Sequence, residues 1–290
     1  MNEKQRSLDM LVASMFIFGT IGVVRRYIPL PSATIAVARG LTGAAFLLLF
    51  LLLVRKQKPD GAAIRRNLAL LLISGAVMGA NWIALFEAYN FTSVAVATLC
   101  YYMAPVFVIL LSPLVLKEKL TPRKLFCAGA AIVGMVLVSG VLGGGSDIGS
   151  LSGVLLGLLA AVLYAGVILL NKKMKPMPGL DRSVIQLAAA GIVLLPYAFL
   201  TGGGGEATPL GLALLAVVCV VHTGLAYALY FGSMEGLPAH TIALLSYIDP
   251  VVAVLLSALM LREPISLWTI VGAVLILGAA VLGELPEKSE

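Results

Sequence analysis

An all-α polytopic membrane protein, with ten transmembrane helices arranged as two inverted five-helix repeats, is the fold class this sequence predicts. Three observations carry it: an apolar, charge-poor composition, ten recurring apolar runs, and a motif set that returns at fixed spacing. Of 290 residues, 60% are hydrophobic and 12% charged, and mean hydropathy is +1.05. A soluble domain carries roughly 25% charged residues, so much of this surface faces lipid. The runs approach the ~20 residues a helix needs to cross a bilayer. They lack the alternation of a membrane barrel.

In order, the predicted spans are 7–24, 32–54, 67–89, 93–116 and 123–142, then 151–171, 182–201, 209–234, 239–261 and 266–283. The first reads as the shortest. It runs into Arg25-Arg26 without a small-residue cleavage pattern, so it is read as a span rather than a signal peptide. Residues 7–142 form the first repeat, 143–150 a glycine-rich linker, 151–283 the second repeat and 284–290 a tail. Two glycine runs, Gly143–Ser146 and Gly202–Gly205, read as turns. Neither is followed by the Gly-Lys-Ser/Thr of a phosphate loop. Thr121-Pro122 has the chemistry of an N-cap followed by proline at the first helical position. Gly75/Gly79 and Gly153/Gly157 are pairs that let helices approach closely.

Sixteen of the twenty Lys and Arg residues fall in segments that a cytoplasmic N-terminus would place inside. Arg25, Arg26 and Arg262 fall outside, and Arg39 lies within a span. That asymmetry predicts that both termini face the cytoplasm. It accounts for the net charge of +6 without nucleic acid. Cys100, Cys127 and Cys219 lie in apolar runs with no metal-ligand spacing, so neither metal nor cofactor is expected.

Phe86, Tyr102, Pro105, Glu118 and Leu120 recur as Phe231, Tyr247, Pro250, Glu263 and Ile265, a constant shift of 145 positions. A second match, at a shift of 147, pairs Arg25-Arg26 with Lys172-Lys173 and Arg39 with Gln186. Such repetition indicates duplication. Five spans per half is an odd number, so the second copy is inverted in the membrane. Inverted repeats underlie alternating access about a midplane site.

The Tyr-x-x-Pro of spans four and nine, the Glu preceding Leu/Ile-Thr/Ser before spans five and ten, Phe18–Gly22 and Arg39 together resemble the drug/metabolite transporter superfamily, EamA type. The chain departs from many members in lacking a Trp near the glycine of span one. The resemblance covers nearly the whole chain. It implies a multi-pass protein of the cytoplasmic membrane that moves small organic metabolites, often exporting amino acids. The expected partners are a small-molecule substrate and the bilayer, with homo-oligomerisation left open.

Ionisable groups within spans are expensive and mark functional sites. Arg39 and Glu87 fall in the outer halves of spans two and three, where pairing is open to them. The two readings are a structural salt bridge and a substrate-carboxylate site on Arg39. Asp249 lies roughly 15 Å into span nine, beside the helix-loosening Pro250. It is the expected proton-coupling group, with Glu87 and His222 as further titratable candidates; the alternative for each is a satisfied structural role. Asn81, Trp82, Tyr101, Tyr102, Tyr227 and Tyr247 complete an expected substrate cavity, interfacial anchoring being the alternative for the tyrosines. Glu118 and Glu263 read as loop or capping residues. An intramembrane enzyme would need a reactive constellation, which His222 and His240 do not supply. Passive or exchange-type facilitation fits the same features.

Overall fold

The computed structural model describes residues 3–117, 120–139, 151–201, 205–234 and 236–284. The expected turn at Gly143–Ser146, most of the Gly202–Gly205 run, Glu118 and the tail beyond Glu284 lie outside them. Among the described residues, thirteen α-helices follow one another: α1 (Glu3–Arg26), α2 (Ser32–Leu49), α3 (Gly61–Phe91), α4 (Val94–Tyr101), α5 (Ala104–Leu116), α6 (Pro122–Val138), α7 (Leu151–Lys173), α8 (Gly179–Thr201), α9 (Pro209–Cys219), α10 (Ala226–Ser233), α11 (Ala239–Leu245), α12 (Ile248–Met260) and α13 (Leu267–Glu284). No strand occurs among the described residues.

Joined across short breaks, these helices are the ten spans. Among the described residues, seven segments are long and apolar enough to cross a membrane: Glu3–Arg26, Ser32–Val54, Gly61–Phe91, Val94–Leu116, Leu151–Lys173, Gly179–Thr201 and Pro209–Ser233. Span five is α6, span nine is α11 with α12, and span ten is α13. The first span is not the shortest. At 24 residues α1 outruns the apolar stretch, because Glu3, Lys4 and Arg6 lengthen the helix without adding hydropathy.

Local chemistry sets the ends. Asp60 accepts from the backbone N–H groups of Ala62 and Ala63 at the start of α3. Ser93, Thr121 and Thr208 cap α4, α6 and α9 in the same way. Each cap satisfies donors that would otherwise be orphaned in an apolar medium. Span four breaks at Tyr102-Met103, and span nine breaks at Ser246-Tyr247. In both, the proline then falls in the first turn of the new helix, where its missing N–H costs nothing.

The duplication is visible in three dimensions. Lys117 and Arg262, 145 positions apart, both adopt the left-handed conformation (φ 59° and 54°) that ends their spans. Span two packs on span seven, and span five on span ten, each against its own repeat mate. Where α3 packs on α7, the mate α10 packs on α1. This is the pattern of a two-fold relation.

Burial also corrects the register of the first span. The buried face of α1 is Ser7, Leu11, Ser14, Met15, Gly19 and Val23. That of α7 includes Gly153, Gly157, Ala160, Ala161, Ala165 and Leu169. The shift is 146, not 147, so Arg25-Arg26 correspond to Asn171-Lys172. A one-residue slip turns a helix by about 100° and exposes the wrong face. For span two the shift of 147 holds: Val37, Arg39, Gly40, Gly43, Ala44 and Leu47 match buried Val184, Gln186, Leu187, Ala190, Gly191 and Leu194.

Glycine sets the closest approaches. A Cβ on Gly75 would sit 2.6 Å from the Gln186 carbonyl, and one on Gly153 would sit 2.7 Å from Thr92. Arg25 is not an outer-loop residue. It is buried at the end of α1, donating to the Ile28 carbonyl (3.0 Å) and the Ser32 hydroxyl (3.1 Å), and it holds the turn into α2 in place.

Candidate functional site

A chamber of about 330 Å³ opens where the two repeats meet. Eight of the ten residues singled out in the sequence line it: Arg39, Asn81, Trp82, Tyr101, Tyr102, Tyr227, Tyr247 and Asp249. Helix periodicity explains part of this. Asn81, Trp82, Leu85, Phe86 and Tyr89 form one stripe of α3, and Phe18, Gly19 and Gly22 form one of α1. The helix breaks explain the rest, because they direct Tyr102 and Tyr247 inward from the middle of their spans.

Arg39 is the cation of the chamber and is 6% exposed. Its Nε donates to Thr223 Oγ1 at 2.8 Å. Its guanidinium lies 4.2 Å from the Trp82 ring centroid and 5.8 Å from that of Phe86. Stacking fixes the plane of the group and leaves its amino edge unused; among the described residues it forms no ion pair. The anticipated bond to Glu87 does not form. Glu87 is half-buried outside the chamber lining, accepts from Asn90 Nδ2 at 3.1 Å and has Arg25 as its nearby cation. The single-residue step along α3, a rotation of about 100°, points Phe86 toward Arg39 and Glu87 away from it.

Asp249 is the chamber's carboxylate. Tyr102 Oη donates to its Oδ2 at 2.7 Å, a bond from the first repeat to the second. The Tyr102 and Tyr247 rings, repeat mates, stand 6.4 Å apart. Asn81 Nδ2 donates to the Ala160 carbonyl at 2.6 Å, while its Oδ1 is buried without a partner. A buried, unpaired amide oxygen costs about 1–3 kcal/mol. Asn81 borders the chamber, while this oxygen is buried away from it.

His222 stands behind the wall, in a π-helical segment (Val220–Leu225) between α9 and α10. Its Nε2 lies 2.8 Å from Thr20 Oγ1. Its Nδ1 lies 3.3 Å from the Val217 carbonyl, which can only accept, so in the neutral ring Nδ1–H donates there and Nε2 accepts from the Thr20 hydroxyl. This contact ties span eight to span one. A His222→Gln variant is expected to retain the chamber and lose thermal stability, by about 1 kcal/mol for the hydrogen bond. A thermal melt of the solubilised protein measures it.

Sequence reasoning missed Phe18 and Tyr164 as wall residues. They are mates at the corrected shift of 146, and they pack edge-on to Tyr227 at 5.6 Å and tilted on Tyr101 at 5.3 Å, respectively. The one-residue register error concealed that correspondence. The chemistry assembled is a fixed guanidinium, a carboxylate and an aromatic enclosure.

A family model described as the EamA-like transporter family matches residues 7–140 and again 151–283. A protein of Bacillus subtilis (strain 168) described as the uncharacterized transporter YxxF is 28% identical over 281 residues, covering 97% of this chain and 90% of its own. The uncharacterized transporter YwfM of the same organism is 27% identical and covers 98% of this chain and 95% of its own. Protein PecM of Dickeya dadantii (strain 3937) is 28% identical, covering 73% and 72%. A solved crystal structure shares the fold at a TM-score of 0.67, with 17% identity over 96% of both chains.

Proposed function

The chain belongs to the EamA-like transporter family, and from that premise we propose that it is a secondary exporter of small organic metabolites of the amino-acid type. In this reading it works by alternating access in the cytoplasmic membrane, with both termini inside. The observation that carries the reading is the chamber itself. It offers Arg39 and Asp249, one of each charge, inside an aromatic enclosure where the repeats meet. Arg39's free amino edge suits a carboxylate, since guanidinium and carboxylate match in a bidentate fork. Asp249 suits an ammonium group. The rings of Trp82, Tyr101 and Tyr227 suit an apolar side chain. A chamber of about 330 Å³ limits the cargo to one small solute.

Coupling follows from competition. Asp249 carries one negative charge and takes either a proton or the substrate's ammonium group. Releasing substrate to the outside frees the carboxylate for a proton, which enters the cell with it when the chamber turns. Glu87 and His222 are further titratable groups in this scheme, behind the wall. Tyr102 holds the carboxylate in position through its hydroxyl.

Counterflow of radiolabelled amino acids in proteoliposomes tests transport. Accelerated uptake into vesicles preloaded with the same solute is expected, and its absence across the twenty amino acids would end the amino-acid reading. Asp249→Asn is expected to abolish the response to an imposed pH gradient. Persistence of that response at wild-type size removes Asp249 from coupling. With the response gone and exchange intact in the wild type as well, the protein is an exchange-type facilitator.

A further inference from the structure

One cluster outside the chamber binds three elements together through a single carboxylate. Arg262, in its left-handed conformation, turns the chain so that the Glu263 N–H reaches the Ser257 carbonyl at 3.3 Å. The Glu263 side chain then folds inward. Oε1 accepts from Arg26 Nη2 at 2.9 Å. Oε2 accepts from the Val94 N–H at 2.8 Å and from the Ser257 hydroxyl. One residue thus joins the end of α1, the N-terminus of α4 and the last turn of α12. The carboxylate is 11% exposed and Arg26 35%, so the pair is shielded more than a surface ion pair, which is worth little. A carboxylate at a helix N-terminus also interacts favourably with the helix dipole.

Span one also packs closely on its neighbours between the chamber and this end. A Cβ on Gly19 would lie 2.6 Å from the Asp249 carbonyl, and one on Gly22 would lie 2.5 Å from Val94. Span one therefore presses on α12 at the residue that bears the chamber carboxylate. The repeat supplies the comparison. α12 packs against α4 at this end, while among the described residues their mates α5 and α11 make no comparable contact at the other.

We propose that Glu263 is the latch of the gate at this end, a positioning residue that holds spans one, four and nine together while the chamber opens toward the opposite side. The inference rests on the transport reading for its purpose, and on the predicted topology for naming this end the outer one. Breaking the latch frees α4 from α12 and exposes the chamber to the Arg26 side.

The test uses the full chain in oriented membrane vesicles, with Cys100, Cys127 and Cys219 replaced by Ala and a reporter, Ser246→Cys, in the chamber wall. The probe is a membrane-impermeant cationic methanethiosulfonate, applied from either side. In the parent, the reporter is expected to react from the side of the termini and slowly from the Arg26 side. Glu263→Ala is expected to raise the Arg26-side rate about tenfold or more, the scale of losing hydrogen bonds to a charged group. Arg26→Ala, which keeps the Val94 and Ser257 bonds, is expected to raise it less. An unchanged Arg26-side rate in Glu263→Ala overturns the proposal. Where that variant does not reach the membrane, an unchanged rate in Arg26→Ala overturns it equally. Labelling reads access and not flux. A parent protein that shows this labelling pattern without counterflow would end the transport reading and leave the latch standing.

Discussion

Truncating Arg39 to Ala is expected to cut counterflow about a hundredfold or more while leaving the amount of folded protein near that of the wild type. The size follows from the group's position. Removing one member of a buried charge pair costs roughly 2–5 kcal/mol, and a substrate carboxylate left in the chamber would have no other cation there to meet. The fold survives because the partner is not orphaned: the Thr223 hydroxyl donates to the Val218 carbonyl at 3.0 Å, and Arg39 was only its donor. Trp82 loses a cation–π contact of about 1–2 kcal/mol, which a stability measurement would register. Arg39→Lys is the sharper variant. It restores the charge but neither the planar stack nor the two-pronged edge, so recovery to no more than about a tenth of wild-type flux is expected. Full counterflow by Arg39→Ala would place the substrate's anionic group elsewhere.

Much of this arrangement was legible in the sequence because two of its causes are periodic. Tyr102 and Tyr247 were readable as central by their spacing of 145 and by the prolines that follow them, and the structure breaks both spans one to two residues ahead of the proline's helix. Asp249 was legible as an ionisable group deep in a span. Its partner was not, since no sequence pattern says that the Tyr102 hydroxyl meets it across the repeat boundary. Glu87 and Arg39 looked like a pair by depth alone. Depth ignores angle, and the rotation of about 100° from Phe86 to the next residue, Glu87, decides the matter. The charge of Arg25 suggests a loop residue, whereas the end of α1 buries it against Ile28 and Ser32. Glu263 was readable as a capping residue, and it does accept from the first N–H of α4. What the chain could not disclose is that the helix it caps belongs to the other repeat.

Gly40→Leu is expected to be the most damaging single substitution for the fold. A Cβ at position 40 would lie 2.7 Å from the Gly191 nitrogen and 2.9 Å from both the Gly191 Cα and the Leu187 carbonyl. All three are backbone atoms, so no side chain can swing aside to make room. Overpacking a well-packed interface costs typically 1–3 kcal/mol and more where backbone must move; on that scale a melting temperature lower by on the order of 10 °C is expected. Gly278→Ala is the matched control, because nothing lies within 4 Å of its added Cβ, and it should melt with the wild type. A Gly40→Leu protein as stable as that control would mean that spans two and seven do not meet at this glycine. The consequence reaches function through one bond of chain. Gly40 is next to Arg39, and the contact of α2 with α8 lies between repeat mates, so the closeness that Gly40 permits also sets where the guanidinium stands over Trp82. A milder change, Gly40→Ala, is therefore expected to lose flux well before it loses stability, with counterflow and melting temperature measured on the same preparation. Equal losses in both would make the contact structural alone.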